Sequence, residues 1–242
     1  MPYNVKPFTI SFGEQQAVAV RVAPDVDPVR VLAALALPAY QGVIVVHGGA
    51  GAMERASVPA VRTFLAEGVI PLAQTQRLLV VDGATQAGVT RLLGEARAAA
   101  GATFPLLGVA PHRYVTYPGG PSPSKDRYPL NPHHSHFIFV EGNGFGVESA
   151  LLVGLLRGAG VPGFALIVNG GQIVMEEVRA QAAQGNPIVI VRGSGRVADR
   201  LADTASAERA SLLPEARLYL ADVRALAAFG ALARRLLSLS TP

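Results

Sequence analysis

The chain has 242 residues, of which half are hydrophobic and 16% are charged, with a formal net charge of +4 at pH 7. This balance is typical of a globular protein with a sizeable core and excludes a disordered chain. Cysteine is absent, which excludes disulfides, thiolate nucleophiles and cysteine-ligated zinc. No apolar stretch approaches the roughly 18 residues of a membrane-spanning helix, and no secretory signal is visible. We therefore expect a cytoplasmic protein without membrane contact.

Apolar strands and helices alternate along most of the chain. Two apolar runs around "GEQQ" predict an N-terminal β-hairpin within residues 1–25. Further strands are predicted at 43–47, 77–82, 105–110, 136–141, 163–168 and 187–191. Helices are predicted at 55–67, 86–100, 146–158, 172–184 and 196–204, with an amphipathic closing helix at 221–238.

The alternation predicts one doubly wound α/β domain over residues 1–242, built on a mainly parallel sheet. Strands this uniformly apolar are buried on both faces, as in a parallel sheet covered by helices. Residues 112–135 break the pattern with five prolines, two glycines and three tyrosines. A segment of this length and composition predicts either a lid over a binding site or a mobile surface loop.

Small and polar residues follow five of the predicted strands. The carboxyl ends of parallel strands share one edge of the sheet, where helix N-termini can meet an anion. We therefore predict a ligand site at that edge, and Asp82 and Glu141 end two of the strands that lead to it. The turns contribute Gly48, Gly49, Ala50 and Gly51, then Gly83, then Gly142 and Gly146, then Asn169, Gly170 and Gly171, and last Gly193, Ser194 and Gly195. Neither a P-loop nor a strict G-x-G-x-x-G opening occurs, which disfavours an ordinary ATPase or dehydrogenase.

Histidines are concentrated near the same edge. They are His47, His112, His133, His134 and His136. The sequence "HHSH" raises the question of a metal site. In a strand, however, His134 and His136 point to one face and His133 to the other, so the three do not converge simply on one ion. We favour hydrogen-bonding roles and predict no metal site.

The motifs "HGGAGAM", "LVVDGATQAGVTRLLGEA", "HHSHFIFVEGNGFGVE", "NGGQIVMEEV" and "GSGRVAD" occur in the order and spacing of the SLOG superfamily. The chain resembles most closely the branch found in the N-terminal region of melastatin-type TRP channels, in a free-standing prokaryotic form. The resemblance covers residues 41–204 and implies a Rossmann-like nucleotide-binding fold. It implies binding of ADP-ribose or a relative in some members, and hydrolysis of nucleotide N-glycosidic bonds or binding of single-stranded DNA in others.

The resemblance also implies residue roles, because its motifs fall on the glycine turns, on Glu148 and on Arg196. Hydrolase members carry P-G-G-x-G-T-x-x-E where this chain has "NGGQIVMEE". Glu177 is retained, whereas Ile173 and Val174 replace the glycine–threonine pair. Leu152 stands where the channel branch has an arginine, and Arg113 is a candidate substitute cation.

The preferred hypothesis is a ligand-sensing domain that binds an ADP-ribose- or NAD-related nucleotide derivative and requires no cofactor. The alternative is a nucleotide N-glycosidic hydrolase in which Glu177 stabilises positive charge on the ribose. A single-stranded DNA-binding module is a third hypothesis, which the scattered basic residues disfavour.

The last of the five glycine turns, at residues 193–195, has two interpretations. It holds a ligand phosphate through its N–H groups and Arg196, or it is structural and Arg196 pairs with Asp199. The apolar closing helix suggests a homodimer.

Overall fold

The computed structural model describes residues 5–49, 51, 53–212, 214 and 216–238, and its central feature is a nine-stranded sheet covered by helices. The strands are β1 Phe8–Phe12, β2 Gln15–Val22, β3 Gly42–Gly48, β4 Leu78–Asp82, β5 Leu106–Pro111, β6 Val115–Thr116, β7 Tyr128–Pro129, β8 His136–Val140, β9 Gly163–Val168, β10 Ile188–Arg192 and β11 Leu218–Asp222. The α-helices are α1 Pro28–Ala34, α2 Val58–Thr63, α3 Ile70–Thr75, α4 Gly88–Ala99, α5 Ser149–Gly158, α6 Gln172–Ala183, α7 Arg196–Ala202, α8 Ala207–Ala210 and α9 Leu226–Ser238.

The strand order across the sheet is β1-β2-β8-β5-β4-β3-β9-β10-β11. β1 and β2 form the predicted antiparallel hairpin, and the other neighbours pair in parallel. From β3 the chain winds outward through β4, β5 and β8, then crosses back through α5 to β9 and winds outward the other way. The winding reverses between β3 and β9, where doubly wound folds open a ligand crevice. The predicted Rossmann-like fold is therefore confirmed.

Apolar layers cover both faces of the sheet. Alternate residues of β3 point to opposite faces, so Val43 and Val45 belong to one core cluster while Ile44 and Val46 belong to the other. Helices α1, α5, α6 and α7 cover the first face, and α2, α3, α4 and α9 cover the second. Because burial of each such side chain contributes roughly 1.5–3 kcal/mol, two-sided burial explains why the strands are aliphatic at successive positions.

Among the elements that were not predicted from the sequence are α1 and β11, besides the short α8, β6 and β7. α1 begins after Asp27, whose side chain accepts a hydrogen bond from Val29 N, and Pro28 occupies its first turn. That is a standard N-terminal helix signal. β11 is a half-exposed edge strand that pairs with β10, and it occupies the start of the predicted closing helix. α9 therefore begins at Leu226 and not at residue 221.

The closing helix packs on its own chain. The ring of Phe229 lies 4.7 Å from the ring of Phe64, which belongs to a π-helical segment, Phe64–Val69, between α2 and α3. The helix predicted at 55–67 thus begins at Val58 and continues through the π-helical segment into α3. The apolar stripe of α9 that suggested a homodimer is buried inside the chain.

Residues 112–135 contain short elements of regular structure. β6 pairs with β7, and Leu130 forms an isolated bridge with Thr85. Leu130 and Asn131 are buried, and the Asn131 amide donates to the carbonyl of Thr90 at 3.0 Å. The second half of the segment is therefore anchored on α4.

Among the described helices, none is both long and apolar enough to cross a membrane.

Candidate ligand-binding cleft

A cleft of about 470 Å³ opens beyond the carboxyl ends of β3 and β9, at the point where the winding reverses. Its lining comes from six of the turns or segments that follow parallel strands. The lining residues are Val46, His47, Gly48, Gly49, Gly51, Gly83, Thr85, Thr90, Pro111, Tyr128, Phe145, Glu148, Leu152, Gly171, Gln172, Ile173, Val174, Glu177 and Arg196. The volume and position match those of small-molecule sites in doubly wound folds, which are typically about 300–1,000 Å³.

The first glycine turn forms one wall because it packs too closely for side chains. A Cβ on Gly48 would lie 2.6 Å from Val89 Cβ, and one on Gly49 would lie 3.2 Å from Asn169 Oδ1. These glycines bring the main chain of β3 against α4 and the turn after β9. Ala50, which was predicted to belong to this turn, lies outside the described residues.

The N-terminus of α6 points into the cleft. Its N-cap is Gly171, and no side chain within the described residues caps it. The first N–H groups of a helix lack intrahelical partners and carry a partial positive charge. The Arg196 guanidinium lies beside them, since a Cβ on Gly171 would be 3.0 Å from Arg196 Nη2. Arg196 Nη1 also donates to the carbonyl of Gly51 at 3.2 Å. This end of the cleft is therefore suited to an anion.

The turn before α7 is organised differently. Asp199 accepts hydrogen bonds from the N–H groups of Gly193 and Gly195, at 2.6 and 3.2 Å. Ser194 is fully buried; its hydroxyl donates to the carbonyl of Val191 and accepts from Asn169 N. The structure thus gives these N–H groups a partner inside the protein, in place of the ligand phosphate that the sequence suggested.

The other interpretation of this turn, an Arg196–Asp199 ion pair, is revised as well. Asp199 binds the turn and Arg196 reaches across the cleft to Gly51. Arg196 holds a left-handed backbone with φ of 54°, and Asn169 another with φ of 60°. Left-handed backbone is unfavourable for a side-chain-bearing residue and is often found at functional sites. The turn therefore serves to aim the arginine.

Glu177 is the end of a buried hydrogen-bonded chain. Asn186 Nδ2 donates to Gln181 Oε1 at 2.5 Å, which orients the Gln181 amide so that its Nε2 donates to His47 Nε2 at 3.0 Å. His47 must then carry its proton on Nδ1, which donates to Glu177 Oε2 at 2.8 Å. Ser149 Oγ donates to Glu177 Oε1 at 2.7 Å. Both oxygens of Glu177 thus accept hydrogen bonds from side chains of the protein.

Glu148, one residue before Ser149, is a second carboxyl group in the same cleft. Its Oε2 accepts a hydrogen bond from Gly146 N at 2.9 Å. Burial raises the pKa of Glu148 to about 7; backbone hydrogen bonds from Glu148 and Gly146 oppose the shift, and the charge of Glu177 adds to it. The Glu148 carboxyl group is therefore partly protonated near neutral pH.

Aromatic rings form the mouth of the cleft. Phe145 is 44% exposed and Tyr128 is 41% exposed, although large apolar rings are normally buried. The Phe145 ring lies 5.6 Å from that of Tyr128 and 4.9 Å from that of Tyr114. The mouth therefore offers flat apolar surface on which another planar group can stack.

Several residues predicted for the site lie outside the lining of the cleft. Asp82 is fully buried and accepts from His134 Nε2 at 2.7 Å and from Ala84 N at 2.8 Å. Glu141 pairs with Arg21 at 3.1 Å. The remaining ones act locally: Arg113 donates to Asn143, Gly142 packs against Val147, Gly146 holds Glu148, and Gly170 packs against Val174.

Some residues of the cleft were missed by sequence reasoning. His47 and Ser149 touch Glu177 across 130 and 28 residues of sequence, a spacing that carries no local signal. Phe145 and Tyr128 did have a local signal, because each is an aromatic residue in a segment rich in glycine or proline. Among the described residues, no group of three or more histidine, aspartate or glutamate side chains could hold a metal ion.

The fold and the cleft define a class, the doubly wound α/β proteins with a ligand crevice at the switch point of the sheet. The family model described as "SLOG in TRPM, prokaryote" matches residues 41–233. Because the match covers well over half of the chain, the protein belongs to this family, as the motifs predicted.

Similar curated proteins include a cation channel. The chain is 29% identical to transient receptor potential cation channel subfamily M member 7 of Homo sapiens, over 238 residues that cover 83% of this chain and 13% of the channel subunit. The corresponding protein of Rattus norvegicus is 28% identical with the same coverage. The chain thus spans a small part of these relatives.

Proposed function

We propose that the cleft binds a nucleotide derivative with a pyrophosphate, of the ADP-ribose or NAD type, and that the protein is a ligand-sensing domain. One observation carries the proposal. One cleft is lined by the first residues of α6, whose N-terminus no described side chain caps, by Arg196 and by exposed aromatic rings. Buried carboxyl groups lie among the same lining residues. Phosphate, base and ribose each have a chemical counterpart there.

The phosphate counterpart is the N-terminus of α6. Its free N–H groups donate to phosphate oxygens, and the helix dipole favours negative charge. Arg196 adds a guanidinium, whose charge-assisted hydrogen bond is worth roughly 1.5–3 kcal/mol. Among the described lining residues it is the one permanent cation.

The aromatic mouth supplies the counterpart of the base. Stacking of a base on an aromatic side chain is worth about 1–3 kcal/mol and tolerates any base. Ribose hydroxyl groups are hydrogen-bond donors, and carboxylate oxygens such as those of Glu177 accept them.

Isothermal titration calorimetry against ADP-ribose, NAD, cyclic ADP-ribose and AMP tests the proposal. We expect ADP-ribose to bind, and Arg196→Ala to weaken binding at least about tenfold without lowering the thermal midpoint of the free protein. Arg200→Ala is the matched control, because Arg200 lies one turn along the same helix, is exposed and pairs with Glu208. Absence of binding across the four compounds would sink the proposal.

A second candidate is an N-glycosidic hydrolase, favoured by the position of Glu177 in the cleft. Hydrolysis breaks the bond between ribose C1′ and the base nitrogen; water supplies a hydroxyl group to the ribose and a proton to the base. A fixed carboxylate stabilises the positive charge that develops on the ribose. The test is chromatographic detection of free base. Release of base by the wild type, and its loss in Glu177→Gln protein that remains folded, would favour hydrolysis over sensing.

A further inference from the structure

The two carboxyl groups of the cleft have different hydrogen-bonding surroundings. Glu177 uses both of its oxygens as acceptors, toward His47 and Ser149. Glu148 uses Oε2 as the acceptor of the Gly146 N–H. The backbone N–H of Glu148 itself also donates to the carboxyl group. Within the part of the chain that the structure describes, no other residue donates to Glu148 Oε1, so a ligand can reach this oxygen without displacing a neighbouring side chain.

The surrounding charges determine whether Glu148 is protonated when a ligand binds. The charged and titratable groups that share the cleft with it are Glu177 from α6, His47 from β3, Arg196 from α7 and Tyr128 from β7. Both ring nitrogens of His47 are engaged, with Glu177 and with Gln181. An ionised Glu148 would make this set carry two negative charges against one positive charge, and an anionic ligand would add to the repulsion.

The neighbouring helices do not change this balance. Arg157 lies in the last turn of α5, at the opposite end from Glu148. Arg30 of α1, and Glu176 and Arg179 of α6, are exposed to solvent, where charges are screened. The arrangement therefore favours a proton on Glu148 whenever a phosphate enters. Burial and the charge of Glu177 already raise the pKa of the free carboxyl to about 7.

We propose that Glu148 is a proton-carrying ligand contact, protonated in the complex and donating through Oε1 to an oxygen atom of the bound nucleotide derivative. The inference rests on the proposed function and adds its regulation. Ligand uptake is coupled to uptake of a proton near neutral pH, so the domain responds to ligand and pH together.

The test is calorimetric titration of ADP-ribose into the full chain between pH 6 and pH 8. ADP-ribose is the appropriate probe because its two phosphates are diesters, whereas a phosphate monoester such as AMP titrates itself near pH 6. If binding requires the protonated form and the free carboxyl titrates near pH 7, the dissociation constant rises about tenfold over this interval. Two buffers of different ionisation enthalpy report the proton taken up, roughly half a proton at pH 7 and more above it.

Two variants locate the effect. Glu148→Gln keeps a donor in place of the protonated carboxyl, so it should bind at pH 8 about as well as the wild type does at pH 6 and take up no proton. Glu176→Gln removes a neighbouring exposed charge and leaves an acceptor for Gln172, so it should keep the wild-type pH dependence.

The outcomes separate the two proposals. Absence of ADP-ribose binding at every pH overturns the proposed function itself. Binding with equal affinity at pH 6 and pH 8, or without proton uptake, overturns only the role of Glu148. A Glu148→Gln protein that keeps the wild-type pH dependence overturns it as well, because another group must then titrate.

Discussion

The perturbed carboxyl of Glu148 also makes the stability of the free protein depend on pH. Its pKa is raised from the ordinary value of 4.5 to about 7 in the folded chain. The folded state therefore binds the proton more tightly than the unfolded state does. The stability that this proton supplies is fully present below pH 4.5 and is lost as the pH rises toward 7.

Glu148→Gln measures the size of this effect. Glutamine imitates the protonated carboxyl and its oxygen still accepts from Gly146 N, but it has no charge to desolvate. One pKa unit corresponds to about 1.4 kcal/mol, so a shift of this size gives at most about 3 kcal/mol. The variant should match the wild type near pH 4.5 and exceed its free energy of unfolding by about 2–3 kcal/mol at pH 8, which is about 6 °C or more in the thermal midpoint.

Urea unfolding of both proteins at pH 4.5, 6 and 8 provides the assay. Glu176→Gln serves as the control, because its exposed carboxyl should change stability by less than about 0.5 kcal/mol, with no growth across the pH range. A gap between wild type and Glu148→Gln that stays constant with pH, or a less stable variant at pH 8, would refute the reasoning.

Three further predictions concern the rest of the cleft and its surroundings. Glu177→Gln should lower the free energy of unfolding by about 1–3 kcal/mol, because one amide oxygen cannot replace both acceptors and the His47 Nδ1–H is left unpaired; unchanged urea unfolding would contradict this. Gly94→Ala should lower the thermal midpoint despite the higher helix propensity of alanine, since its Cβ would lie 2.2 Å from Asn131 Nδ2; a higher midpoint would show that Asn131 moves freely. Limited proteolysis should cut within 117–128 in the free protein and slow at saturating ADP-ribose if this segment closes over the ligand, whereas unchanged cleavage would identify a surface loop.

The fold could be predicted from the sequence because its determinants are local. Aliphatic runs such as 43–47 and 163–168 require burial on both faces, and their regular spacing with helices leaves few topologies. β11 was not predicted because an edge strand is covered less completely, and Ala221 is the one buried residue of this strand. α1 escaped although "DP" marks its start, because the helix is short.

The cleft could be predicted only as an edge of the sheet. Glycine turns show where strands end, but they do not show which N–H groups already have partners. Asp82 ends β4 and Glu141 follows β8, yet Asp82 Oδ1 binds His134 and Glu141 Oε1 pairs with Arg21. Conversely, His47 acquires its role through a contact with a residue 130 positions away. Such pairings are set by tertiary packing, which a single sequence does not display.

Two neighbouring turns illustrate the physical difference between a ligand turn and a structural one. Both follow adjacent parallel strands, both contain two glycines, and both lead into a helix. The first turn of α7 contains Asp199, which satisfies the turn N–H groups from within, and the N–H groups of Val197 and Ala198 reach the carbonyls of Gly170 and Asn169. The first turn of α6 contains no acidic residue.

An anion therefore finds free donors at α6 and occupied ones at α7, although the sequences of the two turns look equally suitable. The second turn still contributes, because its left-handed backbone directs Arg196 toward the N-terminus of α6. In the function that we propose, anion recognition is divided between two elements, with donors from one helix and a cation from the start of the next. A carboxylate introduced into the first turn of α6 would occupy the free N–H groups as Asp199 does in α7, and would abolish phosphate binding while it stabilises the helix.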